Sequence, residues 1–331
     1  MVRKSRLSYI ALCFAVLYVF CIKTALSPPL PSPNSPCVLY SNHTRHDFRL
    51  TLKNSFLNAA HSIDIWMYAA TDPLLTKILL KKHHQGTKVT LHLNKKAEVS
   101  SSLETLRPIR VSSKGLMHRK VVCIDEKIVF LGSANMTTSS LQLHDNLSIG
   151  FYHEGAALFL KQPHQKTYAF TLPYPSPSMQ TMRGVLWLLP DPLAMKQIEK
   201  LLQESTDSIV IAMFTLTQKN LVQAIIDAHL RGVKVTVLLD RYTAQGASKS
   251  SVKALLNHSV PLYLSLGLPL LHHKWAYIDH HTLILGSTNW TESAFQKNDD
   301  ILLFLEGLTP SLQKEMNKIT DILQLESKLA F

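Results

Sequence analysis

The 331 residues predict an α/β protein built as two tandem, pseudo-symmetric halves, and three observations carry that expectation. The sequence repeats itself. QGTKVTL at 85–91 returns as RGVKVTV at 231–237, a shift of 146 residues, and MHRKVVCIDEKIVFLGSANMT at 117–137 returns as LHHKWAYIDHHTLILGSTNWT at 271–291, a shift of 154. Within each half, short β-branched and apolar runs alternate with a longer amphipathic stretch, the pattern of strands layered with helices. The composition, 46% hydrophobic and 18% charged with only 11 Gly and 16 Pro, supports a sizeable core and excludes a disordered or collagen-like chain.

The elements follow in order. Val38-Leu39-Tyr40 opens the first half and matches Val185-Leu186-Trp187; Ile65-Trp66-Met67-Tyr68 matches Ile211-Ala212-Met213-Phe214. These runs are short and β-rich, so they read as strands. Helices are expected at about 73–84 and 219–230, each followed by a Val/Thr strand. Two more strands then flank a tight turn, near Glu126-Lys127 in the first half and near His280-His281 in the second. Eight extra residues in the second half are assigned to a polar loop at 241–251 (RYTAQGASKSS). Residues 310–329 read as an amphipathic helix with Leu312, Met316, Ile319 and Leu323 on one face, packed on the body. Pro163, Pro173, Pro175 and Pro177 interrupt the periodicity, so 161–184 reads as a linker between a first repeat at 38–160 and a second at 185–331.

Ahead of the repeats, Arg3, Lys4 and Arg6 precede an apolar run at 7–22, and a Pro-rich spacer occupies 28–37. Residues 1–27 therefore read as a signal peptide or an N-terminal membrane anchor, with the body on the exported, periplasmic, secreted or luminal side. The run is between the two classes in length. Pro28 after Ala25-Leu26-Ser27 disfavours cleavage and tilts the reading toward an anchor. Only Cys37 and Cys123 remain in the body, and an oxidising compartment leaves their pairing open. Lys+Arg 35 against Asp+Glu 23 gives a net charge of +12, which favours anionic partners: a phospholipid surface, nucleic acid or phosphodiesters generally.

Both halves contain H-x-K-x4-D-x6-G-S-x-N: His118, Lys120, Asp125, Gly132, Ser133 and Asn135, and again His272, Lys274, Asp279, Gly286, Ser287 and Asn289. On a strand, positions i and i+2 share a face, so each His and Lys point the same way toward one substrate. The returning strand of the hairpin carries the Ser and Asn back beside them. Hydroxyl and amide donors there suit non-bridging phosphate oxygens, and two lysines suit their charge. The paired His at 83–84, 272–273 and 280–281 make a poor metal set, because neighbours on a strand face opposite ways.

The duplicated motif resembles the signature of the phospholipase D superfamily, and the likeness runs over essentially the whole chain after about residue 37. The resemblance implies two phospholipase D-like domains packed face to face around one active site, complete in a monomer. It implies His118, Lys120, Asp125, His272, Lys274 and Asp279 as the catalytic motif, with Asp125 and Asp279 read as fixing the hairpin rather than reacting, phosphate bound by Ser133, Asn135, Ser287 and Asn289, and no metal or other cofactor. It also implies two-step displacement through a phosphohistidine. Eleven residues after the motif Asn, where the family usually has a carboxylate that orients the histidine, this chain has Asn146 and Asp300. A carboxylate raises an imidazole's pKa and an amide does not. Pairing within each half therefore makes His272 with Asp300 the general acid and His118 with Asn146 the nucleophile; a one-residue slip would bring in Asp145 instead. Lipid is the first expectation for substrate, from the N-terminal segment and the apolar run at 260–271. The alternatives are an exported endonuclease, a cardiolipin synthase-like transferase and a non-catalytic lipid- or nucleic-acid-binding relic. Trp66, Trp275 and Trp290 read as core residues before pocket residues.

Overall fold

The computed structural model describes Tyr18 and residues 28–44, 46–174, 180–267 and 269–330. The segment 1–27, expected to be a signal peptide or membrane anchor, lies outside the described residues, Tyr18 apart, as do Pro175 and Pro177. No helix among the described residues is long and apolar enough to cross a membrane.

The first half runs β1 (Cys37–Ser41), α1 (Phe48–Asn58), β2 (Ser62–Met67), α2 (Pro73–His84), β3 (Lys88–Asn94), a 3-10 turn (Ser101–Leu106), β4 (Ile109–Val111), β5 (Lys120–Ile124), β6 (Ile128–Gly132), α3 (Thr138–Gln142), β7 (Leu147–Tyr152) and α4 (Glu154–Lys161). After β8 (Thr167–Pro173), the second half runs β9 (Thr181–Leu188), α5 (Pro192–Glu204), β10 (Ser208–Met213), α6 (Lys219–Leu230), β11 (Lys234–Leu239), α7 (Arg241–Gln245), α8 (Lys249–Asn257) and β12 (Leu262–Ser265). It closes with β13 (Lys274–Ile278), β14 (Thr282–Gly286), α9 (Glu292–Gln296), β15 (Ile301–Glu306), α10 (Pro310–Leu325) and β16 (Ser327–Leu329). Helix starts follow their sequence signals. Asp72, Asp191 and Thr309 cap α2, α5 and α10 with side-chain oxygens, each ahead of a proline whose missing N–H costs nothing in the first turn.

The two sheets have the same internal order. The first is β1-β7-β6-β5-β2-β3-β4, and the second reproduces it as β9-β15-β14-β13-β10-β11-β12, with β8 and β16 added at its edges. In the first sheet β2–β3 and β3–β4 are parallel, in the second β10–β11 and β11–β12, and the remaining pairs are antiparallel. Alternation along the strands splits the core into three layers. Val121, Cys123, Trp275 and Tyr277 face an apolar layer shared by the two sheets, while Val122 and Ile124, and Ala276 and Ile278, face the helices of their own half. The sheets therefore pack face to face. Leu312, Met316, Ile319 and Leu323 of α10 are buried in the shared layer, and Trp66, Trp275 and Trp290 are all buried.

Three expectations need correction. The proposed linker is structured: β8 and β9 form an antiparallel hairpin that extends the second sheet and sends Phe170, Leu172 and Met182 into the shared core. Its prolines mislead because Pro173 closes an edge strand, where a missing N–H is tolerated. The polar stretch at 241–251 is helical, started by Asp240, whose carboxylate accepts the N–H groups of Tyr242 and Thr243. The spacer is not detached from the body, since Tyr40 Oη donates to Pro29 O at 2.7 Å. Cys37 and Cys123 are both free, with burial pushing the Cys37 thiol up to about 12.

Candidate active site

Each HxK pair begins its hairpin at the carboxyl end of a parallel strand: Lys120 pairs with Met67 at the end of β2, and Lys274 with Met213 at the end of β10. Carboxyl ends of parallel strands are where α/β sheets place ligands. Two short bridges then join the halves. On one side His118 N–H donates to Asp299 O at 2.7 Å and Asp299 N–H donates back to Leu116 O at 2.8 Å. On the other, His272 N–H donates to Asp145 O at 2.9 Å and Asp145 N–H to Leu270 O at 2.9 Å. Each motif histidine is thus held by the main chain just before the orienting residue of the opposite half.

The side chains cross in the same way. His118 Nδ1 lies 2.8 Å from Asp300 Oδ1, and His272 Nδ1 lies 3.0 Å from Asn146 Oδ1. This reverses the pairing within halves expected from sequence, and Asp145 is not the orienting residue. Asn146 Nδ2 is committed to Ser140 O at 2.7 Å and His144 O at 3.2 Å, so its oxygen faces His272. Both imidazoles therefore donate from Nδ1, which leaves Nε2 as each ring's other functional nitrogen. Burial lowers the pKa of both histidines, and both lysines add to it. Asp300 opposes the shift at His118, whereas His272 has no carboxylate among its causes and is lowered further. Burial works to raise the Asp300 carboxyl, but His118 and Lys120 beside it hold it below its usual range.

Lys120 and Lys274 repeat one geometry. Each Nζ donates to the carbonyl of its own histidine at 2.9 Å and stands over an aromatic ring, Tyr68 at 5.6 Å and Phe214 at 5.1 Å. The same rings pack on His118 and His272. Burial depresses Lys120 to about 7, with Asp300 opposing, and takes Lys274 well below its ordinary value. Two lysines, two histidines and one carboxylate thus share a site whose charge an anion would balance. Tyr68 and Phe214 were matched in the repeat but not recognised as site residues; the available signal was an aromatic at the end of the strand beside each HxK.

The remaining motif residues divide. Ser133 Oγ donates to Asn146 Oδ1 at 2.8 Å and accepts Leu147 N–H, and Ser287 Oγ donates to Asp300 Oδ1 at 2.5 Å and accepts Ile301 N–H. Their hydroxyls hold the orienting residues rather than facing a phosphate, which corrects their assignment. Gly132 and Gly286 permit this approach, because a Cβ there would collide with the Leu147 and Ile301 carbonyl oxygens. Asn135 and Asn289, the amides expected to bind phosphate, have buried side-chain oxygens with no partner.

Asp125 and Asp279 follow the far ends of β5 and β13 from the lysines, a position that suits the hairpin-fixing part expected of them within the motif. Asp125 accepts the N–H groups of Ala60, His61 and Ser62 at 2.7–2.9 Å, and Asp279 those of Thr206, Asp207 and Ser208 at 2.9–3.0 Å. Both sit at positive φ with the next residue, so the turn centres on Asp125-Glu126 and Asp279-His280, one residue earlier than expected. Aspartate tolerates that conformation.

Two halves with matched sheets, each lending the other's histidine its hydrogen-bond acceptor, define a duplicated phosphodiesterase-type site. The chain belongs to the phospholipase D-like family: the family model described as "Cardiolipin synthase, PLD-like domain" matches residues 52–166 and 198–322, more than half of the chain. Among similar proteins, a mitochondrial cardiolipin hydrolase of Xenopus laevis is 30% identical over 115 residues, covering 34% of this chain and 54% of that protein. A phospholipase D of Rickettsia typhi is 26% identical over 165 residues, covering 48% of this chain and 79% of that protein. The phosphatidylserine synthase of Haemophilus influenzae Rd KW20 shares the fold over 93% of this chain and 91% of its own, with a TM-score of 0.69 at 12% identity.

Proposed function

We propose that the chain is a phosphodiesterase acting on phosphatidyl groups through a phosphohistidine, without a metal. The observation that carries this reading is the reciprocal pair of hydrogen bonds, His118 to Asp300 and His272 to Asn146, which draws both HxK pairs into one site. His118 Nε2 attacks phosphorus as the bond to the leaving oxygen breaks, and the ring gains positive charge. Asp300 stabilises that charge through Nδ1–H, as the carboxylate of a catalytic triad does. His272 faces only a neutral amide, so its protonated form is the stronger acid and gives its Nε2 proton readily to the leaving oxygen. Bound phosphodiester anion supports that protonated form. In the second step His272 takes a proton from water, whose oxygen attacks phosphorus as the P–N bond breaks. Lys120, Lys274 and the amides of Asn135 and Asn289 hold the non-bridging oxygens, the charge stabilisation a metal supplies elsewhere. The roles expected from sequence stand in this scheme, but the orienting partners and the reason for the roles change.

The lipid reading is supported by the names of the similar hydrolases and by exposed Leu116, Leu143 and Leu266, each on a segment leading to a motif histidine or its orienting residue. The net charge of +12 suits an anionic lipid surface and equally a nucleic acid, which keeps the endonuclease as the second reading. An alcohol in place of water would make the same intermediate a transferase. The N-terminal segment would hold the body at the membrane on the exported side, and one chain would suffice as a monomer. His118→Ala and His272→Ala should each remove nearly all turnover of phospholipid vesicles, and a chelator should not. Full activity in either variant, or plasmid cleaved while phospholipid is untouched, contradicts this reading.

A further inference from the structure

Beside the active site, His43, Asp145 and Glu326 converge from three parts of the chain: the loop after β1, the residue before Asn146, and the end of α10. His43's side chain is 5% exposed, and its Nε2 has no hydrogen-bond partner. That nitrogen faces Asp145 Oδ1 at 3.6 Å, while Nδ1 faces Glu326 Oε2 at 3.6 Å. One ligand atom from each of the three lies within 4.8 Å of the others. A separation of 3.6 Å is too long for a good N–H···O hydrogen bond. An ion takes only one nitrogen of an imidazole, so one of these separations is close to the edge, roughly 3.3–3.6 Å, of a tetrahedron of N and O ligands bonded at about 2.0–2.2 Å, and the third ligand atom lies within the 4.8 Å span.

The surroundings point the same way. His273 is fully buried, its ring 5.8 Å from that of His43, and neither of its nitrogens has a partner. Orphaned buried polar atoms are costly, and a bound ion or ordered water is what relieves them. A cavity of about 360 Å³, lined in part by Asp145, Glu326, Ser265 and Leu266, gives the cluster a route to solvent.

We propose that His43, Asp145 and Glu326 bind a divalent transition-metal ion that ties the first strand, the first repeat and the C-terminal helix together. One imidazole and two carboxylates suit Zn2+, among others. The ion would act by position. Asp145 O accepts the N–H of His272, so fixing Asp145 also fixes the histidine's main chain. The site takes no part in the proposed chemistry, so metal binding and turnover are separate readouts.

The test is a titration of the chelator-stripped full-length protein with Zn2+, followed by calorimetry and by metal analysis after desalting. One zinc per chain is expected, together with a higher Tm. Glu326→Gln, an exposed change that leaves the fold intact, should weaken binding roughly tenfold or more and abolish the rise in Tm, and His43→Gln should do the same. A His83→Ala/His84→Ala variant on α2 should keep the tight zinc. Zinc affinity and Tm shift in Glu326→Gln and His43→Gln equal to the parent's, or no zinc bound by the parent, would overturn the site. The second of these is the result if protonated His43 merely pairs with the two carboxylates.

Discussion

Asn146 and Asp300 occupy matched positions in the repeat, yet each serves the histidine of the other half. That exchange decides what a substitution does. Asn146→Asp places a carboxylate against His272, not His118, and so raises the pKa of His272. A general acid must be protonated, so the falling alkaline limb of the kcat/KM profile should move to higher pH. The rising acid limb, set by the nucleophile, should stay in place. Movement of the acid limb alone would assign Asn146 to the wrong histidine. The motif residues and the asymmetric pair were legible in the sequence, because spacing recurs and a carboxylate differs from an amide. Which histidine each one faces was not, since a hydrogen bond between residues 118 and 300 leaves no trace in local spacing. Ser133 and Ser287 were misread for a related reason: a hydroxyl beside a phosphate site and one that braces an orienting residue look the same in a motif.

The hairpins β5–β6 and β13–β14 are the elements that aim the HxK pairs, and their aspartates act at the opposite end from the chemistry. Burial works to raise the Asp125 carboxyl, but three backbone N–H groups hold it below its ordinary value. Its contribution to stability is therefore present above the unfolded carboxyl pKa and is lost as pH falls through the lower folded value. Asp125→Ala should destabilise the protein by about 1.5–3 kcal/mol at neutral pH, a difference from the parent that shrinks in acid, while kcat stays close to the parent's. Denaturant unfolding at two pH values, alongside steady-state rates, checks this; a large loss of kcat in a stably folded variant would return Asp125 to the catalytic set. The hairpins were legible because strand runs flank a short polar turn. The β8–β9 hairpin was not, because prolines at an edge strand resemble those of a linker.

At the scale of the molecule, the two sheets share a core, and that joint core makes one site from two repeats. The duplicated order of strands followed from the repeat, whereas the face-to-face packing came from resemblance, not from periodicity. Removal of residues 1–27 should leave the Tm of the body unchanged and reduce its partition onto anionic vesicles. Removal through residue 36 should also cost about 1 kcal/mol, because Tyr40 loses its bond to Pro29 O. Unchanged vesicle partition in both would count against the anchor. The central claim is that His118 and His272 work on one phosphorus in different roles. A labelled phosphodiester with a nitrophenolate leaving group tests it most directly, since so good a leaving group needs no general acid. With His272→Ala, the first step should proceed and the second should stall for want of a base. The account predicts a burst of one nitrophenolate per chain and, after quenching in alkaline denaturant, label on the peptide containing His118. A burst from His118→Ala instead, with label on the peptide containing His272, would contradict it.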